Sequence, residues 1–437
     1  MQKYKIGVIS LGCDKNRVDT EKMLSILSKK HQITPEIEDA EIVIVNTCAF
    51  LEASRREAIE EIISVSQLKS NGSLKKIIVT GCLPQKFIGD VFDYLTEADA
   101  FLGVSDYARI NEVIDMVMEG ERVNAVGVPC GEPCTDRVLT TRGYAYLKIA
   151  DGCSNHCTYC LIPKIRGKFR SVPLSDLIEE AKGLGEIGEL ILVAQDTAKY
   201  GFDFSDKPSL ATLIQELSKL DNIKGIRLLY CYPESITDEL IGEIARNDKV
   251  IKYIDIPFQH ADDTVLKRMN RKGTGEGYLD LIEKLRSNID GIAIRSTFIT
   301  GFPGETEEQF DNLVEFIKKA KLHNAGFFAY SKEEDTPAFL LDGHMSEKIK
   351  KSRQRKLYSV QKTVVKNRLK DLVGKTIEIT VDGFSNEYLT YQGRSYDQAP
   401  EVDGKVYFFS SEEHFAGEKI KVKITDFKDY DLFGEIL

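Results

Sequence analysis

The sequence lacks the features that would place the chain in a membrane, outside the cell or in a fibre. It contains no run of about 18 apolar residues that could span a bilayer. Its start, MQKYKIGVIS, lacks the charged region and long apolar run of a secretory signal. There is no internal repeat, coiled-coil pattern or low-complexity tract, and 32 Gly and 12 Pro are too few for a collagen-like or disordered chain. We therefore expect a cytoplasmic globular protein without a membrane partner.

An excess of positive charge is also missing. The chain has 59 Lys and Arg against 69 Asp and Glu, which gives a net charge of −10. This balance disfavours an electrostatic grip of the whole protein on nucleic acid and permits a basic protein partner. The nine cysteines favour metal or redox chemistry, because disulfides are rare in the cytoplasm. A length of 437 residues is typical of about three domains.

The first part of the chain predicts a doubly wound parallel sheet. Strands rich in Val and Ile alternate with helices, as in sheets covered on both faces. We assign residues 1–121 to this domain, and 122–141, where the alternation is lost, to a linker or hairpin. The predicted strands are residues 5–11, 41–46, 75–80 and 100–104, and the predicted helices are 15–29 and 52–67.

The middle of the chain, residues 142–344, repeats the alternation on a larger scale. Six β/α units predict an incomplete TIM-like barrel, in which chemistry takes place at the carboxyl ends of the strands. The predicted strands are 145–149, 189–193, 225–229, 253–256, 292–299 and 325–329, and the helices are 173–184, 209–220, 237–247, 262–269, 277–288 and 306–320.

The end of the chain combines a basic helix with a small β domain. Residues 345–372 form a predicted linking helix, whose part 345–370 has ten Lys and Arg against Glu347 alone. Its apolar residues share one face, which predicts packing on the barrel; contact with ribosomal RNA is the alternative. Residues 373–437 contain short strands at 376–381, 405–409 and 419–425, typical of a small antiparallel β-barrel. From Gly374 onward it has seven basic and thirteen acidic residues, a poor match for RNA.

One group of cysteines, called here the barrel cysteines, directly follows the first predicted barrel strand. It consists of Cys153, Cys157 and Cys160, with the spacing C-x3-C-x2-C. Three thiolates on one loop can bind three irons of a 4Fe–4S cluster and leave the fourth iron open to a small molecule. The alternative is zinc, which usually takes four ligands; His156 could complete the set but lies awkwardly inside the loop.

A second group, called here the amino-terminal cysteines, consists of Cys13, Cys48 and Cys82. Each follows a predicted strand of the first sheet, at spacings of 35 and 34 residues. The carboxyl ends of parallel strands share one edge, so these loops can converge. A packing role would suit any one of them alone, but three equivalent positions predict a second cluster with an open iron.

The barrel cysteines, at the end of a first barrel strand, resemble those of the radical S-adenosylmethionine (SAM) superfamily. This resemblance implies that SAM binds the open iron through its amino and carboxylate groups and is cleaved reductively to a 5′-deoxyadenosyl radical. Tyr159 matches the aromatic residue that lies near the adenine in that superfamily. Both cysteine groups in this order, followed by a TRAM-like end, resemble the methylthiotransferase family, which combines a flavodoxin-like domain, a radical SAM barrel and a TRAM barrel.

Within that family, several segments resemble the RimO-like branch, which modifies an aspartate of ribosomal protein S-twelve, more than the MiaB-like branch, which modifies a tRNA adenosine. An acidic last domain also suits a basic ribosomal protein. Asp14 is a departure, since the family usually has Pro there. The resembling segments are LGCDKN (11–16), AQDT (194–197), DIPFQH (255–260), GFPGET (301–306) and QAPEVDG (398–404).

The resemblance implies a reaction with two SAM molecules and two 4Fe–4S clusters. One SAM methylates a sulfur species on the open iron of the amino-terminal cluster. The second is cleaved at the barrel cluster, and the radical abstracts hydrogen from the aspartate β-carbon, which takes up the methylthio group. An electron donor such as flavodoxin or ferredoxin is implied. Methylthiolation of tRNA and a non-catalytic iron–sulfur or zinc protein docked on the ribosome remain as alternatives.

The remaining candidates lie at strand ends, where barrel enzymes carry their functional residues. Gln195, Asp196, Gln259 and Arg295 are candidates for holding SAM; an ion pair with a barrel carboxylate is the alternative for Arg295. The GFPG segment lacks the Lys-Ser/Thr of a phosphate loop and predicts a backbone turn near the ligand. Three cysteines have no known family role. Cys130 and Cys134 are expected to be two surface thiols, with a labile metal or disulfide site as the alternative, and Cys231 is expected to pack near the barrel mouth.

Overall fold

The computed structural model describes residues 3–129 and 136–437. Cys130 and Cys134 therefore lie outside the described residues. Within the described ranges, no helix is both long and apolar enough to cross a membrane. The chain forms three units, built around an open six-stranded sheet, a second open six-stranded sheet and a closed five-stranded barrel, which confirms the predicted fold class.

The amino-terminal sheet has six parallel strands in the order second, first, third, fourth, fifth and sixth, the flavodoxin-like arrangement. Its third strand is buried along its whole length, which explains the unbroken run of Val and Ile. The sixth strand, Val123–Ala125, lies in the stretch predicted as a linker, so the sheet extends past residue 121. The strands are Lys5–Ser10, Gln32–Ile33, Ile42–Thr47, Lys76–Gly81, Ala100–Leu102 and Val123–Ala125, and the helices are Asp14–Ser28, Glu52–Ser66, Leu68–Asn71, Cys82–Tyr94 and Ile110–Met118.

The middle unit is the predicted incomplete barrel. Its six parallel strands pair in chain order, and the first and last strands are not paired with each other. A short antiparallel pair, Ala150–Asp151 with Arg170–Ser171, closes the base of the loop that carries the barrel cysteines. The strands are Tyr144–Lys148, Glu189–Val193, Ile226–Leu228, Val250–Asp255, Ala293–Thr300 and Asn324–Ala329, and the helices are Ile162–Ile165, Leu174–Gly183, Leu210–Ser218, Asp238–Arg246, Asp263–Arg268, Gly275–Asn288 and Glu307–Ala320.

The linking helix, Glu347–Leu372, joins the barrel to the last domain and packs on both. Leu357 lies in the core of the barrel, whereas Val365 and Leu369 lie in the core of the small β-barrel. Four of the five pairings in that β-barrel are antiparallel, and its third and fifth strands run parallel. Its strands are Thr376–Ser385, Thr390–Arg394, Val406–Phe409, Lys419–Lys428 and Asp431–Ile436.

A loop of the last domain, residues 395–403, fills the inside of the open barrel. Ala399 is buried beside Tyr146 and Tyr253, whose side chains point inward from the barrel strands. The carboxylate of Asp403 accepts a hydrogen bond from the Tyr253 hydroxyl at 2.7 Å. Side chains normally fill the interior of a barrel in layers; here part of the filling comes from another domain.

Candidate active site

The barrel cysteines lie on the loop that follows the first barrel strand. Its ends are fixed by the short strand pair, and within it the Cys153 amide donates to the Gly167 carbonyl at 3.1 Å. The Cys160 sulfur accepts from the Ile162 amide at 3.5 Å. Burial raises the pKa of Cys153 to about 11 and also raises the pKa of Cys160, and the three sulfurs are close enough for their charges to interact. Such thiols lose their protons when a metal binds them.

The amino-terminal cysteines are brought together by the parallel sheet, as predicted. The side chain of Asn16 links their three loops: its amide nitrogen donates to the carbonyls of Leu11 and Thr47 at 3.1 and 3.0 Å, and its oxygen lies 3.8 Å from the Cys82 sulfur. Cys13 is exposed, Cys48 half-buried and Cys82 buried. The three loops therefore form one edge that is open on the Cys13 side.

Two glycines make the close approach of these loops possible. Gly12 and Gly81 each precede a cysteine and have φ of +96°, a conformation that favours glycine. A Cβ atom on Gly12 would lie 2.8 Å from the Cys48 Cβ and 3.4 Å from its sulfur. A Cβ on Gly81 would lie 2.6 Å from the Thr47 carbonyl oxygen. Side chains at these positions would therefore push the cysteine loops apart.

A buried arginine connects the two cysteine groups. Arg166, from the barrel, donates to Asp151 at 2.9 Å and to Asn16 at 2.6 Å. One of its nitrogens lies 3.9 Å from the Cys82 sulfur. Burial raises the pKa of Cys82 to about 12, and the Arg166 charge acts against that rise. The next residue, Gly167, holds the Cys153 amide, so two consecutive residues contact both cysteine groups.

Further contacts show that the two strand edges face each other. The Lys15 ammonium lies 3.6 Å from the centre of the Tyr230 ring, which follows the third barrel strand. Lys148, at the end of the first barrel strand, pairs with Asp19 of the amino-terminal domain. On another side, Glu333, buried after the last barrel strand, binds Arg55 at 2.6 Å. The amino-terminal domain thus covers the carboxyl ends of the barrel strands.

Gln195 and Asp196 lie at this covered mouth. Gln195 donates to Asp151 at 3.0 Å, and its buried oxygen has no partner among the described residues. Asp196 is fully buried and accepts from Asn155 at 3.0 Å and from the Ser235 hydroxyl at 3.2 Å. Burial raises the pKa of Asp196. Of the two, Gln195 offers a free acceptor, whereas Asp196 is engaged in holding the loops.

The other predicted SAM contacts are Arg295, Gln259 and Tyr159, and in the structure each of them contacts other parts of the protein. Arg295 pairs with Asp255 at 2.9 Å and with Asp403 of the last domain at 3.2 Å, so the ion pair considered as its alternative role is present. Gln259 has φ of +72° and exchanges backbone hydrogen bonds with the neighbouring strand. Tyr159 packs against an apolar group that contains Phe302 and Tyr330.

The GFPG segment is the predicted backbone turn. The buried carboxylate of Glu305 accepts from the amides of Gly301 and Phe302 at 2.8 and 3.3 Å. Arg353 of the linking helix donates to the same carboxylate at 2.5 Å. This turn contributes Phe302 to the wall beside Tyr159. Cys231 is fully buried at the barrel mouth.

Each cysteine group offers three thiols, the kind of donor that iron–sulfur clusters take. In the ranges the structure describes, no three His, Cys, Asp or Glu side chains are arranged to hold one metal ion. In a 4Fe–4S cluster each thiolate binds a different iron, so its ligands surround a larger group. His156 is exposed and has φ of +54°, and no zinc site forms around it among the described residues.

Comparisons with known proteins show what the chain is similar to. Family models match residues 147–317 (radical SAM superfamily), 5–103 (uncharacterized protein family UPF0004) and 373–437 (TRAM domain). A Clostridium botulinum protein is 46% identical, covering 100% of this chain and 99% of its own length. A Lachnoclostridium phytofermentans protein is 45% identical, covering 98% and 99%. Both are called ribosomal protein uS12 methylthiotransferase RimO.

Among solved structures, the radical SAM methyltransferase TsrM from Kitasatospora setae is similar in fold. That structure, which holds cobalamin and a 4Fe–4S cluster, has a TM-score of 0.58 and 14% identity, over 77% of each chain. At this identity the likeness shows the fold alone. The radical SAM match implies an iron–sulfur cluster and SAM for this chain, and with relatives of this identity along the whole length, the chain belongs to the RimO family of radical SAM methylthiotransferases.

Proposed function

We propose that this chain transfers a methylthio group to the β-carbon of an aspartate of ribosomal protein uS12 (S-twelve), with two 4Fe–4S clusters and SAM. The observation that carries the proposal is the approach of the two cysteine groups, in which Arg166 and Gly167 contact both loops. A methylthio group needs sulfur at one centre and a radical at another, so the two centres have to share one chamber. The names of the full-length relatives support the substrate.

In this proposal each cysteine group holds one cluster. When bound, the barrel cluster supplies the electron that cleaves SAM, and the amino-terminal cluster supplies an open iron for sulfur. Gln195 offers its free oxygen to the SAM amino group, and Tyr159 forms part of an apolar wall for the adenine. The Arg55–Glu333 and Lys148–Asp19 pairs hold the amino-terminal domain over the mouth and exclude water. Electrons come from a donor such as flavodoxin or ferredoxin.

Mass spectrometry of uS12 tests the proposal. We expect uS12 from a strain without this gene to lack the mass of one methylthio group, and the gene to restore it. A plasmid encoding the variant with all three barrel cysteines replaced by alanine is the control and should not restore it. An unchanged uS12 mass in the deletion strain would exclude the substrate. Loss of a 2-methylthio-adenosine from tRNA in that strain would support the MiaB-like alternative.

An acidic surface on the last domain supports a basic protein substrate. One loop exposes Glu412 and Glu413 between two exposed aromatic residues, Phe409 and Phe415, which are 70% and 67% accessible. His414 anchors the loop, because its ring nitrogens bond to neighbouring side chains at 3.0 Å. Aromatic side chains with surrounding charges of one sign are typical of surfaces that bind proteins of opposite charge.

We expect reversal of the two loop charges, E412K/E413K, to weaken uS12 binding about tenfold at low ionic strength, because steering by opposite charge is lost. The difference should shrink as salt is added. Surface plasmon resonance with purified uS12 measures it. E57K/E60K, which reverses two exposed charges on the amino-terminal helix Glu52–Ser66, is the matched control. Equal effects of both pairs would contradict a local docking surface.

A further inference from the structure

Arg166 is one of the largest fully buried side chains, with 1% of its surface accessible. A buried guanidinium is costly unless charged and polar partners surround it. Its partners come from two domains: Asp151 belongs to the barrel, whereas Asn16, Asp19 and Cys82 belong to the amino-terminal domain. Because its partners belong to both domains, Arg166 lies at the junction between the barrel and the amino-terminal domain.

Without Cys82, the buried charged side chains at Arg166 have a net charge of zero. Arg166 and Lys148 face Asp19 and Asp151, at 3.1 Å for Arg166 with Asp19, 2.9 Å for Arg166 with Asp151 and 3.5 Å for Lys148 with Asp151. Two positive and two negative side chains therefore form a neutral, buried group. A Cys82 thiolate adds negative charge next to this group, on the side of the guanidinium.

The Arg166 guanidinium lies close enough to Cys82 to affect the reduction potential of a cluster bound there. Positive charge and N–H donors at a ligand sulfur stabilise the reduced, more negative state, and they raise the reduction potential. Arg166 contacts the amino-terminal group directly, at the Cys82 sulfur. It meets the barrel group through Asp151, its hydrogen-bond acceptor, and through the neighbouring Gly167, whose carbonyl accepts from the Cys153 amide. Its effect should therefore be larger on the amino-terminal cluster.

We propose that Arg166 is a positioning residue that fixes the two cysteine loops against each other and raises the reduction potential of the amino-terminal cluster. The inference rests on the proposed function, because that function supplies the second cluster. Asp19 opposes the effect, because its carboxylate cancels part of the Arg166 charge. Loss of Arg166 and loss of the Asp19 charge should then move the potential in opposite directions, which a purely structural role would not produce.

The experiment uses the full chain in which all three barrel cysteines are alanine, so that only the amino-terminal cluster is present. Iron is counted, and the cluster is titrated with redox mediators and followed by electron paramagnetic resonance. We expect R166M to lower the ratio of reduced to oxidised cluster at a fixed potential at least tenfold, which is about 59 mV for one electron. R166K, which keeps the charge, should lower it less, and D19N should raise it.

R137M is the matched control. Arg137 is also a buried arginine between domains, bound to Glu21 at 2.5 Å and to Glu180 at 2.7 Å, and its loss should leave the potential unchanged. Equal shifts in R137M and R166M would overturn the inference, as would an unchanged potential in R166M. If R166M does not retain iron, D19N decides, and an unchanged or lower potential overturns the inference. A parent chain without about four irons would instead overturn the second cluster.

Discussion

Replacing the three amino-terminal cysteines with alanine is expected to lower the iron content of the reconstituted chain from about eight to about four irons and to abolish methylthio transfer. SAM cleavage should persist, because in the proposed function the barrel cysteines hold the centre that performs it. Replacing the barrel cysteines instead should also leave about four irons but abolish both cleavage and transfer. Iron analysis, release of 5′-deoxyadenosine and the mass of uS12 are measured on the same preparations.

Cys231 provides the control for this comparison. It is fully buried at the barrel mouth and follows the third barrel strand, but it belongs to neither cysteine group. We expect C231A to keep both clusters and both activities, with at most a modest loss of stability from the smaller side chain. Two results would contradict two separate three-cysteine sites. One is an iron content of about four in C231A, and the other is an iron content that stays at about eight after either cysteine group is replaced.

The second large effect concerns stability, at the contact between the barrel and the last domain. Glu189 lies between two arginines, with Arg227 at 2.5 Å and Arg394 at 3.0 Å, and all three side chains are buried. Arg394 also pairs with Asp382. We expect R394M to lower the free energy of unfolding by about 3–5 kcal/mol, because it leaves buried carboxylates with too few partners. Urea denaturation followed by circular dichroism measures the change.

An exposed ion pair at the same junction serves as the comparison. Lys362 of the linking helix pairs with Asp429 of the last domain at 2.7 Å, and both side chains are about half accessible. K362M removes one member of this pair in water, so the loss should be at most about 1 kcal/mol. If R394M cost no more than K362M, the buried network would not stabilise the junction of these domains.

Most of the fold follows from apolar patterns within single elements. The predicted strand Glu189–Val193 has the same bounds in the structure, because four of its five residues are apolar, as expected of a parallel strand buried on both faces. The strands Thr390–Arg394 and Asp431–Ile436 were missed, because they are half-exposed and their composition is mixed. Val123–Ala125 was missed because three residues are too short to show a pattern.

In the candidate site, the grouping of the cysteines follows from their spacing in the sequence, whereas the contacts between domains do not. Cysteines after successive parallel strands could be placed together from the sequence, because the topology of the sheet brings their loops to one edge. Arg166 could not be found, because its partners Asn16 and Asp19 lie about 150 residues earlier in another domain. Asn16 lies in the segment LGCDKN (11–16), which resembles the methylthiotransferase family. This resemblance is the only signal in the sequence for the role of Asn16.

The loop of residues 395–403 determines how chimeras of this enzyme can be built. Since this loop occupies the barrel interior and Asp403 binds Arg295 and Tyr253, the last domain cannot be removed or exchanged as an independent module. A truncated chain would leave the Tyr253 hydroxyl and the Arg295 guanidinium without the Asp403 carboxylate, so we expect it to be less stable than the full chain. A chimera that aims to transfer substrate choice between relatives therefore has to keep the 395–403 loop together with its own barrel. Only the strands of the last domain that lie outside the barrel can be exchanged.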